Sequence, residues 1–284
     1  MKSNWATLPC TPQHRHLLVT LLAQAGIRHQ HSDWTDVFSM IGKRPFLLAL
    51  QDSEPVACLA CPPDPPGIAW LRLFSVAPNA PVDELWRYLW DQAEVEVREA
   101  GVRQTMVLVT EKWMTPVLKR SGFEPTNSVD FLVWQGGELP KLQRKSGVMR
   151  DMQPSDLAFV TEIDNHAFEE IWRYTYENLE NALERASLAS VMEIEGRVVA
   201  YLMASASALG AHIARLAVAP AWQNRGIGRA LVHHALVIFT KHGFSNPTVN
   251  TQSDNHAAQR LYRSLGFRKT EQTVPVFGKD LLQP

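Results

Sequence analysis

The chain has 284 residues, enough for one large domain or two ordinary ones. Its 45% hydrophobic and 20% charged residues are those of a globular protein that can bury a full core, and a net charge of −1 gives no field for nonspecific nucleic-acid or anionic-membrane binding. No uncharged apolar run approaches the ~18 residues of a membrane span. The start, Met1-Lys2-Ser3-Asn4-Trp5-Ala6, lacks the continuous apolar core of a secretion signal. Three cysteines, Cys10, Cys58 and Cys61, cannot all pair with one another, and a reducing cytoplasm is expected.

Periodicity predicts a helix at 12–25, irregular chain at 28–44, and strands at 46–50, 55–61 and 68–76. Cys58-Leu59-Ala60-Cys61 is a single CxxC, for which zinc or redox roles are weighed; with no second pair to complete a metal site it reads as two buried or half-buried thiols, and no metal is expected. A helix at 82–100, a strand at 104–110, a helix at 112–121 and a strand at 129–135 follow. The polar stretch 138–146, broken by Pro140, reads as a linker. Beyond it come a strand at 147–150, a helix at 155–168 and one or two helices over 171–189. Strands at 190–195, 198–206 and 211–218, a helix at 226–242, a strand at 247–251, a helix at 255–265 and a strand at 272–277 complete the order. Strands that arrive as a run and then alternate with helices predict a mixed α/β (α+β) sheet flanked by helices.

The two halves echo each other. Ser75-Val76-Ala77-Pro78 matches Ala217-Val218-Ala219-Pro220 at an offset of 142 (220 − 78), and Gly122-Phe123 matches Gly266-Phe267 at 144 (266 − 122). Two echoes at nearly one offset indicate a duplication, with domains at 1–137 and 147–284.

Gln223-Asn224-Arg225-Gly226-Ile227-Gly228 follows a strand and opens a helix. A helix that starts on glycines presents unpaired N–H groups and its positive dipole end to an anion, and a bare backbone lets a pyrophosphate approach. Asn255 and Tyr262 are seven residues apart, two helical turns, and so share one helix face.

Gln223-x-x-Gly226-x-Gly228 after a Val-x-Pro strand end, followed by Asn255-x-x-Ala258-x-x-Leu261-Tyr262-x-x-x-Gly266-Phe267, resembles the GNAT superfamily of acyl-CoA-dependent N-acyltransferases. The resemblance covers the second half; the first half resembles the same fold without its chemistry. It implies two tandem domains, each a twisted, mostly antiparallel sheet flanked by helices, with acetyl-CoA as acyl donor and no metal. The backbone of Leu216, Ala217 and Val218 would pair with the pantetheine arm. The N–H groups of Gln223, Asn224, Arg225, Gly226, Ile227 and Gly228 would hold the pyrophosphate, with Arg225 and Arg229 free to meet its charge. Asn255 would hydrogen-bond the pantetheine, Ala258 would belong to the same cofactor site, and Tyr262 would protonate the leaving thiolate. In the first half the offset sets Pro81, Glu84 and Trp86 at Gln223, Gly226 and Gly228, and Trp70 at His212, so no acyl-CoA binding is expected there.

The acceptor implied is a primary amine of a small molecule or peptide, with no nucleic acid or membrane. An alkyl amine of pKa ~10.4 must lose a proton before it attacks. Where many members carry a glutamate base, six residues before the Val of Val-x-Pro, this chain has His212, and the base position of another branch is Asn250. His212 is therefore the candidate base or water-positioner. Asp164, Glu169 and Glu170, with Phe168, Trp172, Tyr174 and Tyr176, fall where the resemblance places the acceptor wall; Arg215 could pair with the acceptor or with Glu193 or Glu195. The alternative from another class is a non-catalytic acyl-CoA-binding or regulatory module. A monomer with an internal pseudo-dimer and a homodimer are both compatible with the duplication.

Overall fold

The structure is a computed structural model, and it describes residues 4–31, 34–140 and 147–282. In chain order the elements are β1 (Ala6–Pro9), α1 (Arg15–Gln24), β2 (Ile27–Gln30), β3 (Phe46–Gln51), β4 (Glu54–Ala60), β5 (Ile68–Trp70), β6 (Leu73–Val76), α2 (Val82–Glu99), β7 (Gln104–Leu108), α3 (Met114–Arg120) and β8 (Glu124–Trp134). The second half carries β9 (Val148–Asp151), α4 (Leu157–Ala167), α5 (Tyr176–Arg185), β10 (Leu188–Ile194), β11 (Arg197–Ser207), β12 (Gly210–Val218), α6 (Ile227–Lys241), β13 (Thr248–Gln252), α7 (His256–Ser264) and β14 (Phe267–Asp280). From residue 141 the expected linker lies outside the described residues. Among the described residues, no helix is long and apolar enough to cross a membrane.

Contacts divide the chain into two compact units: Met1–Thr126 with Pro275–Pro284, and Asn127–Val274. These units cut across the boundary read from the linker. Strand β8 passes into the second unit at Asn127, and β14 leaves it after Val274. Each unit is thus completed by a strand from the other half of the chain.

Unit one has a sheet of order β1-β3-β4-β6-β2, while β5 pairs in parallel with β7, and β7 pairs antiparallel with the end of β14, from Leu108↔Val276 to Gln104↔Asp280. The run 68–76, read as one strand, divides at Leu71 and Arg72: its start pairs with β7 and its end with β4 and β2. Helix α2 buries Leu85, Trp86, Leu89, Trp90, Ala93 and Val97, the i, i+3/i+4 stripe that makes it a helix, and Gly101 at φ 75° turns the chain beyond it. Cys58 and Cys61 are fully buried, three residues apart and so in different core clusters on either side of the sheet. Burial pushes both thiols up; it also raises Cys10, that one to about 11.

Unit two has the order β14-β8-β13-β12-β11-β10-β9, to which β14 contributes its residues up to Val274. The β10–β11 hairpin closes on Glu195 and Gly196, both at positive φ, the conformation a two-residue turn requires. Helices α6 and α7 pack on one sheet face around Leu231, Leu236, Tyr262 and Phe267, and α4 packs against β11 and β12.

Candidate functional site

Strand β12 is paired on one edge and half open on the other. It runs antiparallel to β11 from Ser207↔Gly210 to Ala200↔Val218. Its parallel ladder to β13 has only His212↔Thr248 and Ile213↔Val249. Past Ile213, that edge meets no strand among the described residues. The Ala219 N–H donates to the Val199 carbonyl at 2.9 Å. Antiparallel pairing alternates, so the N–H and C=O groups of Leu216 and Val218 point to the open edge. Gln223 Nε2 donates to the Val218 carbonyl there at 3.1 Å.

A bulge sits in the same strand. Ala204 faces Ile213 while Met203 faces Arg215, which leaves Ala214 as the extra residue. The bulge reverses the side-chain alternation. His212, Arg215 and Ala217 share the face toward α4; Ile213, Leu216 and Val218 share the face toward α6 and α7.

The loop after β12 makes a single 3-10 turn at Pro220–Trp222, then places Asn224 at φ 60° and Gly226 at φ 77°. Gly226 caps α6 without a side chain to satisfy the first-turn N–H groups, and a Cβ there would meet nothing within 4 Å. Unpaired N–H groups facing open space are what an anion requires. Gly228 differs: its hydrogen points inward at Leu216, Val218 and Leu261, so it serves helix packing. The Arg225 guanidinium lies 4.7 Å over the Trp222 ring, and Gln223 to Gly226 are exposed.

Asn255 is the N-cap of α7, its Oδ1 accepting from the Ala258 N–H at 3.0 Å, while Nδ2 has only a 3.5 Å contact with Gln252. Oδ1 is committed to the cap and Nδ2 retains a donor. Two turns on, Tyr262 is buried in the core cluster with its ring 5.6 Å from Phe267. Burial pushes its phenol up, so it stays protonated and able to donate. Among the described residues no hydrogen bond joins Tyr262 to His212; the two approach β12 from opposite faces.

His212 is half-buried, and burial lowers its imidazole below the usual 6.5. Its Nδ1 contacts Thr248 Oγ1 at 2.9 Å. Further along the same face Arg215 makes a bidentate pair with fully buried Asp164, at 2.7 and 2.8 Å, and donates to the Trp172 carbonyl at 2.7 Å. Its guanidinium lies between the rings of Phe168 and Tyr174, each 3.8 Å away. The Tyr201 hydroxyl and the Tyr174 N–H both donate to Asp164. Asp164 is therefore fully engaged by the protein, and two members of the aromatic cluster hold an arginine. Glu193, a candidate partner of Arg215, pairs instead with Arg150 at 2.9 Å. Glu169 and Glu170 are exposed. Thr248 and the Asp164–Arg215 pairing escape sequence reading; the only signal for Thr248 is the parallel register that sets it opposite His212.

Unit one repeats this arrangement with one change. Trp70↔Met106 is the parallel rung equivalent to His212↔Thr248 at the offset of 142, and the Ala77 N–H donates inward to Val56 as Ala219 does to Val199. The edge beyond is filled by β2, paired Ile27↔Val76 to Gln30↔Leu73. The Gly26 and His31 N–H groups take the carbonyls of Val76 and Arg72 at 3.0 and 2.9 Å. A cavity of about 300 Å³ opens in this unit between α2 and α3, with Trp86, Trp90 and Arg87 in its wall. It is a separate groove, whose charges Asp83 and Arg120, and Glu94 and Lys279, pair with one another. Among the described residues no cluster of three or more His, Cys, Asp or Glu is placed to hold a metal.

Comparison with known proteins agrees with this geometry. Residues 157–267 match the model of the acetyltransferase (GNAT) family. A curated relative, the [ribosomal protein bS18]-alanine N-acetyltransferase of Escherichia coli K12, is 32% identical over 74 residues, 26% of this chain and 50% of that protein. The chain thus spans half the length of the curated relatives it matches. A tandem GNAT protein from the clavulanic acid biosynthesis pathway superposes with a TM-score of 0.65 at 14% identity, over 98% of both chains. A GCN5-related N-acetyltransferase of Sphaerobacter thermophilus gives 0.62 at 16% identity, over 98% of this chain and 96% of that one. These likenesses fix the fold: a tandem of two GNAT-like units.

Proposed function

We propose that this chain, whose residues 157–267 form a GNAT acetyltransferase domain, moves an acetyl group from acetyl-CoA to a primary amine of a small molecule or peptide. The observation that carries the reading is the open edge of β12 beside the uncapped N-terminus of α6. An acyl-CoA laid along that edge would find strand-like partners in Leu216 and Val218 for its arm, the backbone of Ala217 between them facing Tyr201 of β11. The N–H groups of Asn224 to Gly228 would face its pyrophosphate, with Arg225 and Arg229 at hand, while the Gln223 N–H donates to the Pro220 carbonyl at 3.3 Å. The thioester supplies an activated acyl group; the protein supplies proton management. The outward Val218 N–H is the donor for oxygen charge that develops on the acyl carbonyl. Tyr262, kept protonated by burial, gives its proton to the departing sulfur. His212 takes the amine proton directly or through water.

Unit one is silent in this reading. The chain's own β2 lies where the donor arm would pair, and Pro81 and Trp86 replace loop groups that would meet phosphate. Three free cysteines suit a reducing compartment such as the cytoplasm. Because the duplicated units could stand in for a dimer, a monomer is expected by light scattering.

The test is release of free thiol from acetyl-CoA with an amine panel that includes a peptide with N-terminal alanine, the residue named for the curated relative. A lowered imidazole stays neutral as pH falls through 6.5, so the wild-type rate should fall only below that value. His212→Gln should lose about 100-fold in rate and the acidic limb with it. Acetyl-CoA binding without thiol release on any amine would favour the binding-module alternative. Binding at two sites per chain in calorimetry would overturn the silent first unit.

A further inference from the structure

We propose that Thr248 is a positioning residue that fixes the tautomer of His212, putting the ring proton on Nδ1 and leaving Nε2 as the proton acceptor. The base role of that acceptor rests on the reading above; the tautomer rests on geometry alone. A threonine hydroxyl has one hydrogen to give and two lone pairs to accept with. Thr248 Oγ1 has two contacts, His212 Nδ1 at 2.9 Å and the Ala211 carbonyl oxygen at 3.3 Å. A carbonyl cannot donate, so the hydroxyl hydrogen goes to Ala211. The His212 contact must then run from Nδ1–H to Oγ1. The reverse assignment would set two oxygen lone pairs against each other. A neutral imidazole carries one N–H, so Nε2 keeps its lone pair.

The backbone enforces this contact. His212 and Thr248 form the first of the two rungs joining β12 to β13, and both side chains leave the same face of the sheet. The residues paired to these two on that face are Ser205 of β11 and Val133 of β8, and Asn250 follows on β13. None is charged; Arg215, farther along β12, and Asp164 of α4 are paired with each other, and Glu162 and His166 of α4 are exposed. No carboxylate in this set orients the ring, which leaves the task to Thr248. In the other tautomer Nε2 would carry a proton and could accept none.

The experiment is long-range ¹⁵N–¹H correlation NMR on the full chain labelled with ¹⁵N-histidine, His212 being identified by its loss in His212→Gln. Wild type should show His212 protonated on Nδ1. Thr248→Val should move it toward the Nε2–H form, and Thr248→Ser should restore it. With acetyl-CoA and an accepted amine, Thr248→Val should lose about 10-fold in kcat with KM for acetyl-CoA unchanged, recovered in Thr248→Ser. Nε2–H in the wild type, which needs no variant to fold, would overturn the proposal, as would an unchanged tautomer in Thr248→Val or, should that variant not fold, Thr248→Ala. The expected spectra with a full-rate His212→Gln would leave the tautomer standing and remove the base assignment instead.

Discussion

Asn255 serves a helix and a ligand with one amide. Its oxygen closes the start of α7, and its nitrogen is the part left for a donor arm. The two roles separate by substitution. Asn255→Asp keeps the capping oxygen and adds a charge that suits a helix N-terminus, so stability should stay within about 0.5 kcal/mol of wild type. It removes the N–H donor, so acetyl-CoA should bind severalfold more weakly in calorimetry. Asn255→Ala should lose both, with about 1 kcal/mol of stability in a urea titration. Wild-type acetyl-CoA affinity in Asn255→Asp would exclude the amide from the binding site. At this scale the sequence is legible where motif spacing supplies an address, as for Asn255, Tyr262 and the glycine loop. It is illegible where a charge has several partners to choose from. Arg215 stands 51 residues from Asp164, and nothing in the order of residues prefers that carboxylate to Glu193. Gly228, grouped with Gly226 by the motif, parts from it in three dimensions because one faces the core and the other open space.

Strand β2 shows what an element reading misses. Ile27-Arg28-His29-Gln30 is short and holds one buried residue, so it has neither length nor alternation to mark a strand. It is extended because the edge of β6 offers hydrogen bonds, a template that exists only once the sheet has formed. The division of 68–76 into β5 and β6 is hidden for the same reason. Helix α2 is visible because its buried stripe is local. The insertion has a measurable signature in His29, which is fully buried with Nε2 3.4 Å from the Leu71 carbonyl. Burial lowers His29 to about 4 and lowers His31 as well, with Arg72 adding to the latter. A histidine depressed in the fold binds fewer protons than its unfolded counterpart between the two values. Stability is therefore full above pH 6.5 and is lost as pH falls toward 4. At roughly 1.4 kcal/mol per pH unit, His29 alone removes about 2 kcal/mol between pH 6.5 and 5. Urea titrations at both values should show that loss in wild type and a flatter response in a His29→Gln/His31→Gln variant. An equal slope in both proteins would mean that acid acts elsewhere.

For the whole molecule, the duplication was readable from two echoes at nearly one offset, and the equivalent rungs Trp70↔Met106 and His212↔Thr248 give it a structural counterpart. The exchange of strands was not readable. A linker marks where the chain is polar and irregular, whereas compactness depends on which edges a strand finally joins. Residues 275–284 belong to unit one, where Phe277 and Leu281 are buried in its core. Ending the chain after Val274 removes both side chains, about 1.5–3 kcal/mol each, and strips one of its two partners from β7. Against a total stability of roughly 5–15 kcal/mol this is a large fraction. The truncated chain should melt at clearly lower urea by tryptophan fluorescence or aggregate, with Phe277→Ala intermediate; a wild-type midpoint would show that the segment contributes little.

The same exchange sets an order in time. Synthesis proceeds from the N-terminus, so β7 emerges about 170 residues before the segment that pairs with its free side, and β5 earlier still. Unit two receives β8 early and can assemble around it as its own strands appear. The copy made first is thus the one closed last. Until residues 276–280 arrive, a nascent chain presents an unpaired strand edge from Gln104 to Leu108 beside an apolar core, a surface that invites pairing with a neighbouring chain. A slow stretch of translation after β7 would lengthen that window, and a chaperone that shields strand edges would act on this part of the molecule.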